Sequence, residues 1–177
     1  MKKLLGVVGV LAALLGGVLV AGSMQAPEYH VERSLTVNAT SEKIYAALSD
    51  FEQFPKWSPW EKLDPALKKT ITGPPATVGS SYAWAGNDKV GEGKMTITRV
   101  VPNELVEIKL DFLKPFASTS QTLWSVAKEG NGSKVMWTMD GRNEGLIPKT
   151  MSLFMKMDKM VGPDFERGLS NLKKLVE

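Results

Sequence analysis

A site that does chemistry needs groups able to move protons, attack carbon or hold a metal, and this sequence is sparing with all three. It has no cysteine and a single histidine, His30. That excludes thiolate nucleophiles, disulfides and any metal centre built from cysteines or several histidines. His30 stands near the start of the first predicted strand and reads as structural. No G-x-S-x-G elbow, P-loop, dinucleotide fingerprint, H-E-x-x-H pair or calcium loop occurs. The glycine-rich GEGKM at 91–95 opens a strand after a turn, the wrong setting for a phosphate cradle. Three carboxylates remain: Glu92 in VGEGKM, Asp140 after the last strand, and Glu144 in GRNEG. In an apolar pocket a carboxyl group can have its pKa raised and act as acid or base; at a solvated strand end it has no such role. Glu92 and Glu144 are candidate catalytic residues on that condition. Arg99 and Arg142 either orient a ligand's carboxylate or decorate the surface. Neither a metal nor a cofactor is expected.

Aromatic and sulfur side chains are the more informative group. Two of the five tryptophans fall in FPKWSPW, residues 54–60, where Pro55 and Pro59 permit at most one short turn. Trp57 and Trp60 therefore ride on a loop. Six of the nine methionines lie between Met136 and Met160, and unbranched thioether chains repack readily around differently shaped guests.

Pattern locates the elements that must position these residues. EYHVERSLTV, residues 28–37, alternates as a strand. NATSEKIYAALSDF changes to helical period, with Thr40 or Ser41 as cap, Glu42 at the positive helix end, and Ile44, Ala47, Leu48 and Phe51 on one face. A second strand begins near Lys68. SSYAWAG, GKMTITRVV, LVEIKLDFL, STSQTLWSVAK and SKVMWTMDGR follow as strands, joined by turn signals at Gly86-Asn87-Asp88, Pro102-Asn103, Lys114-Pro115 and Gly130-Asn131-Gly132. Such brief links predict an antiparallel meander. Tyr82, Trp84, Met95, Ile97, Ile108, Leu110, Phe112, Trp124, Val126, Val135, Trp137 and Met139 then share one face, and Thr96, Thr98, Glu107, Lys109, Asp111, Ser125 and Thr138 the other. From Lys149 to the end, Met151, Phe154, Met155, Val161, Phe165, Leu169, Leu172 and Val176 recur three or four apart. That predicts one long amphipathic helix, kinked or split at Gly162-Pro163. The sum is an α+β domain whose curved sheet of about seven strands grips a C-terminal helix.

The 177 residues have a globular composition. Net charge is +3, but Lys2 and Lys3 belong to the terminal segment, and the remaining 20 basic residues nearly balance 19 acidic ones. They are scattered, so no nucleic-acid partner is expected. After Met1-Lys2-Lys3, Leu4 to Gly22 contains no charge or strong polar group. This reads as a membrane anchor with its lysines cytoplasmic, or as a signal peptide cleaved near Ala21-Gly22-Ser23. Either way residues 28–177 form an exported domain, and residues 1–27 the anchor or signal with a short tether.

The order of elements, together with WSPWEKLDP, GSSYAWAGNDKVGEGKMTI, KVMWTMDG and MDKMVGPDFERGLSNLKKL, resembles the SRPBCC superfamily over about residues 28–177. The likeness is to its polyketide cyclase/dehydrase-like branch, related in fold to START and Bet v 1 proteins. The resemblance implies a helix-grip fold with a deep cavity between sheet and C-terminal helix, taking lipids, sterols, polyketides or other apolar molecules. Trp57 and Trp60 are expected to close one end of it. Tyr82, Trp84, Met95, Ile97, Leu110, Phe112, Trp124, Trp137, Met139, Met151, Phe154 and Met155 are the expected ligand-binding lining. The expected function is binding of a hydrophobic or amphipathic small molecule beside a membrane. The rivals are a cyclase- or dehydratase-like enzyme using an inward carboxylate, and a protein-interaction or stress-response module on a filled core.

Overall fold

The computed structural model describes the backbone of residues 2–177 and the side chains of residues 7, 9–11 and 13–177. Helix α1 (Lys2–Ser23) precedes strand β1 (Glu28–Val37), helices α2 (Ser41–Ser49) and α3 (Phe54–Trp57), and a 3₁₀ turn at Glu61–Leu63. Then come β2 (Lys68–Thr72), β3 (Ser81–Ala85), β4 (Glu92–Val101), β5 (Leu105–Lys114), β6 (Ser118–Glu129) and β7 (Gly132–Arg142). Helices α4 (Leu146–Ser152) and α5 (Met157–Val176) close the chain. The strands form one seven-stranded antiparallel sheet in the order β1-β7-β6-β5-β4-β3-β2. β2 to β7 are thus the expected meander. β1 sits on the far edge beside β7, so residues 38–67 must cross the sheet from edge to edge, carrying α2 and α3 over its inner face.

Local chemistry accounts for these elements. Thr40 caps α2, its hydroxyl accepting from the Lys43 amide at 3.4 Å, and Ile44, Ala47 and Leu48 are buried. Asn103, at φ 64, makes the β4–β5 turn, a left-handed conformation that asparagine tolerates better than most residues. A register shift between Ile97 and Arg99 bulges β4, which strengthens the local twist and helps the sheet curve.

The core is the sheet's inner face against α2, α3 and α5. Along α5, Phe165, Leu169, Leu172 and Val176 are buried, and the Phe165 ring stacks on Trp137 at 4.1 Å and 10°. Gly168 allows this approach: a β-carbon there would stand 2.6 Å from the Trp137 ring. On the outside, Arg33 of β1 bonds Asp158 and Glu166 of α5, each at 2.7 Å. The Asp158 and then the Glu166 hydrogen bond raise the guanidinium's pKa still further.

The C-terminal segment departs from the expected single helix. It breaks at 153–156 and runs unbroken through Pro163. The Phe154 and Met155 amides turn back onto the Met151 carbonyl, and Lys156 is extended. The chain thereby re-aims so that Asp158, in the first turn of α5, meets Arg33.

α4 packs instead against α1, where a side chain at Gly22 would collide with Thr150. Val10, Leu11, Leu14 and Leu15 of α1 are exposed. Among the described residues no helix is long and apolar enough to cross a membrane; the anchor expected over Leu4 to Gly22 rests partly on 4–6, 8 and 12, which lie outside the described side chains.

Candidate ligand cavity

The inner face has two halves. Toward the end where β4 meets β5 and β6 meets β7, Ile97, Val106, Ile108, Val126 and Val135 pack solidly with Ile44, Leu48 and Leu172. Toward the other end, where β1 starts and β7 finishes, sheet and α5 part and leave a cavity of ≈ 200 Å³. The sheet contributes Tyr82 and Trp84 from β3, Met95 from β4, Leu110 and Phe112 from β5, Trp124 from β6, and Trp137 and Met139 from β7. Trp60 lines it from the loop after α3. All nine stand among the expected ligand-binding residues.

The remaining expected residues are elsewhere. Trp57 is 0% exposed and belongs to the core, with its ring edge-on to Phe54, Trp124 and Trp137 at 5.0, 5.1 and 5.5 Å. Its indole N–H donates to the Ala47 carbonyl at 3.2 Å, so it buttresses the wall and does not close the end. Ile97 points inward but lies in the solid half. Met151, Phe154 and Met155 are exposed, because α4 and the break that follows it stand off the sheet. Glu92 bonds Lys114 at 2.7 Å on the surface, Glu144 is exposed, and neither lines the cavity. Asp140 bonds His30 at 2.7 Å, also outside.

Several lining residues were not among those expected for the site. Phe54 and Ser58 belong to the FPKWSPW stretch, and Val161 and Phe165 to the periodicity of α5. Lys89 and Val90 come from the β3–β4 turn, where Val90 also accepts the Trp84 indole N–H at 3.0 Å. Glu61 is the one carboxylate among the lining residues. It is carried by the 3₁₀ turn, and one oxygen accepts from Lys69 of β2. Its position depends on Asp64, 8% exposed, which accepts the Ala66 amide at 2.9 Å and the Asn87 amide at 2.7 Å. The Asp-Pro pair signals the first bond, an Asx turn; nothing local signals the second.

The walls are apolar and aromatic, with few polar atoms. Trp60 donates to Asp164 at 3.0 Å. Thr122 accepts the Trp137 indole N–H at 3.2 Å and donates to the Thr138 carbonyl at 2.6 Å. Burial first, and then the negative charge of Glu61, push the Tyr82 phenol pKa up, so it stays protonated at any ordinary pH. Such a space has the shape and lining that suit an apolar guest, with a small number of fixed polar groups. Among the described residues no cluster of metal-ligating side chains occurs.

Comparisons with known proteins agree with this fold. Residues 28–177 match the family model described as polyketide cyclase / dehydrase and lipid transport. No curated protein is similar enough in sequence to count as a relative. Among solved structures, protein CV1439 from Chromobacterium violaceum is 17% identical with a TM-score of 0.58, covering 84% of this chain and 96% of its own. Ara h 8.0201 is 12% identical at 0.58, covering 84% and 97%. The di-domain ARO/CYC StfQ from the steffimycin biosynthetic pathway is 10% identical at 0.62, covering 85% of this chain and 51% of that one. At these identities the likeness is one of fold.

Proposed function

The chain belongs to the polyketide cyclase / dehydrase and lipid transport family, and from that premise we propose an exported, membrane-tethered domain that binds a hydrophobic or amphipathic small molecule between sheet and α5. One observation carries this reading. The cavity lies in the half of the sheet nearest the start of β1, which follows α1, and the exposed Leu113 and Phe116 belong to the end of β5 and the β5–β6 turn at that end, with the exposed Ile147 and Phe154 on and just after α4, which packs against α1. Exposed apolar side chains of this kind suit contact with a membrane or a bound partner, and a guest drawn from lipid would approach from that side. Affinity would come from area removed from water, roughly 25 cal/mol per Å² before association costs.

The test is made on the full chain expressed in a cell with an envelope. Sedimentation with membranes, resistance to high-salt extraction and accessibility to protease added outside are expected, with a bound apolar molecule detected by native mass spectrometry. An N-terminus beginning near Ser23 would turn the anchored reading into the secreted one. A chain confined to the cytoplasmic fraction, or an interior that takes up no apolar probe, would overturn the proposal. Proton-transfer chemistry is the second reading, favoured by the presence of Glu61 in the lining. A bound molecule whose mass changes on incubation would establish it.

A further inference from the structure

Most polar groups of the cavity lining are engaged by the protein itself. The indole N–H groups of Trp60, Trp84 and Trp137 and the Thr122 hydroxyl all have partners. Trp124 Nε1 and Glu61 Oε2 have none among the described residues, but neighbouring atoms enclose both, so neither is offered to a guest. The Tyr82 hydroxyl differs. Tyr82 is 3% exposed and lines the cavity, and among the described residues no protein group pairs with its oxygen. Buried polar groups are ordinarily satisfied, so this one needs a reason. Packing fixes where it stands: Tyr82 lies in β3 between Ile71 of β2 and Met95 of β4, its ring 5.3 Å from that of Phe54 at 76° and 6.0 Å from that of Phe51. Burial, and then the charge of Glu61, hold the phenol in its protonated form. A phenolic O–H can donate as well as accept, and delocalisation of the oxygen lone pair into the ring makes donation the stronger of the two.

We infer that Tyr82 is the residue by which the cavity selects its guest: its hydroxyl donates to a carbonyl oxygen, so that a compact ketone binds in preference to the hydrocarbon of the same shape. This rests on the binding reading above and narrows it. A guest that fills the space shuts the hydroxyl off from water, and a buried donor left unmatched bears its full desolvation penalty. A guest with an acceptor at that point avoids the penalty. Size argues for compactness, since ≈ 200 Å³ is nearer to the roughly 150 Å³ that holds benzene than to the volume of a two-chain lipid. Two other donors border the space and are less suited. The Ser58 hydroxyl already accepts the Trp60 amide at 3.3 Å and, being aliphatic, is the weaker donor. Lys89 is exposed on its turn, where its ammonium keeps its own water.

The test uses the full chain in phosphatidylcholine nanodiscs, with empty nanodiscs as reference, and equilibrium dialysis of two shape-matched pairs: acetophenone with α-methylstyrene, and 2-acetylnaphthalene with 2-isopropenylnaphthalene. In each pair a carbonyl oxygen stands where the hydrocarbon has a methylene. Tyr82→Phe removes the hydroxyl and keeps the ring against Phe51 and Phe54. It should weaken the ketones on the order of tenfold, the scale of one buried hydrogen bond, and leave the hydrocarbons unchanged or slightly tighter. Comparing each compound with itself in the two proteins cancels the difference in hydration between ketone and hydrocarbon. A second readout does not depend on the variant's folding: the infrared stretch of an isotope-labelled carbonyl bound to the unaltered protein should lie below its position in hexane. An unshifted band, a loss for the ketones no larger than for the hydrocarbons, or a selective loss produced by Ser58→Ala and not by Tyr82→Phe overturns recognition by Tyr82 and leaves the cavity reading standing. Failure of every probe to saturate overturns both.

Discussion

Trp57 and Trp60 are three residues apart and serve different ends. Trp57 is fully enclosed, touches three rings and spends its N–H on Ala47, so Trp57→Ala should lower the unfolding free energy by ~3–5 kcal/mol, as for other enclosed aromatics. Trp60 is half-buried and faces the cavity; Trp60→Ala should cost less than half as much in the same urea titration while changing guest affinity more. The sequence alone does not separate them, because both lie between prolines and the distinction depends on which ring reaches Trp124. His30 permits a prediction with a definite sign. Its hydrogen bond to Asp140 raises its pKa above 6.5, the charge of that partner and of Glu32 adding to the effect. The stabilisation is therefore complete below about pH 6.5 and lost as pH rises through the folded-state pKa. Urea unfolding should show a small decline in stability above neutrality that His30→Gln abolishes; the contribution stays small because the side chain is 53% exposed.

At the scale of elements, the meander was legible because its strands alternate strictly and its joints carry strong turn residues, of which Asn103 is the clearest case. The C-terminal helix was legible in its second half, where Phe165, Leu169, Leu172 and Val176 follow the helical period into the core. The break at 153–156 was not, since Met151, Phe154 and Met155 keep the same spacing without facing the sheet. Periodicity reports which side chains would share a face, not whether that face meets anything. The seat of α5 can be probed at Gly168. Gly168→Ala forces a methyl against Trp137 and Pro59, and overpacking of that kind should cost ~1–3 kcal/mol by chemical denaturation. Asp64 tests the loop that carries Glu61. Asp64→Ala leaves the Asn87 and Ala66 amides unmatched and should lower stability by ~1–3 kcal/mol in chemical denaturation.

For the molecule as a whole, the existence of a cavity between sheet and helix followed from the family resemblance, but its extent did not. Half of the inner face is solid, and residues as similar in sequence setting as Met95 and Ile97 fall on opposite sides of that division. The polar atoms of the site were the least legible, since Glu61 has no pattern of its own and reaches the cavity only because Asp64 and Lys69 hold the loop.

The stretch between α1 and β1 has one more consequence. Only Met24–Pro27 separate the two elements, and four extended residues reach no more than about 14 Å. If α1 lies in a bilayer, the folded body is leashed within about that distance of the headgroups. The amount of guest it encounters is then governed by partitioning into the adjoining leaflet, and a poorly water-soluble compound can be abundant there while scarce in the surrounding fluid.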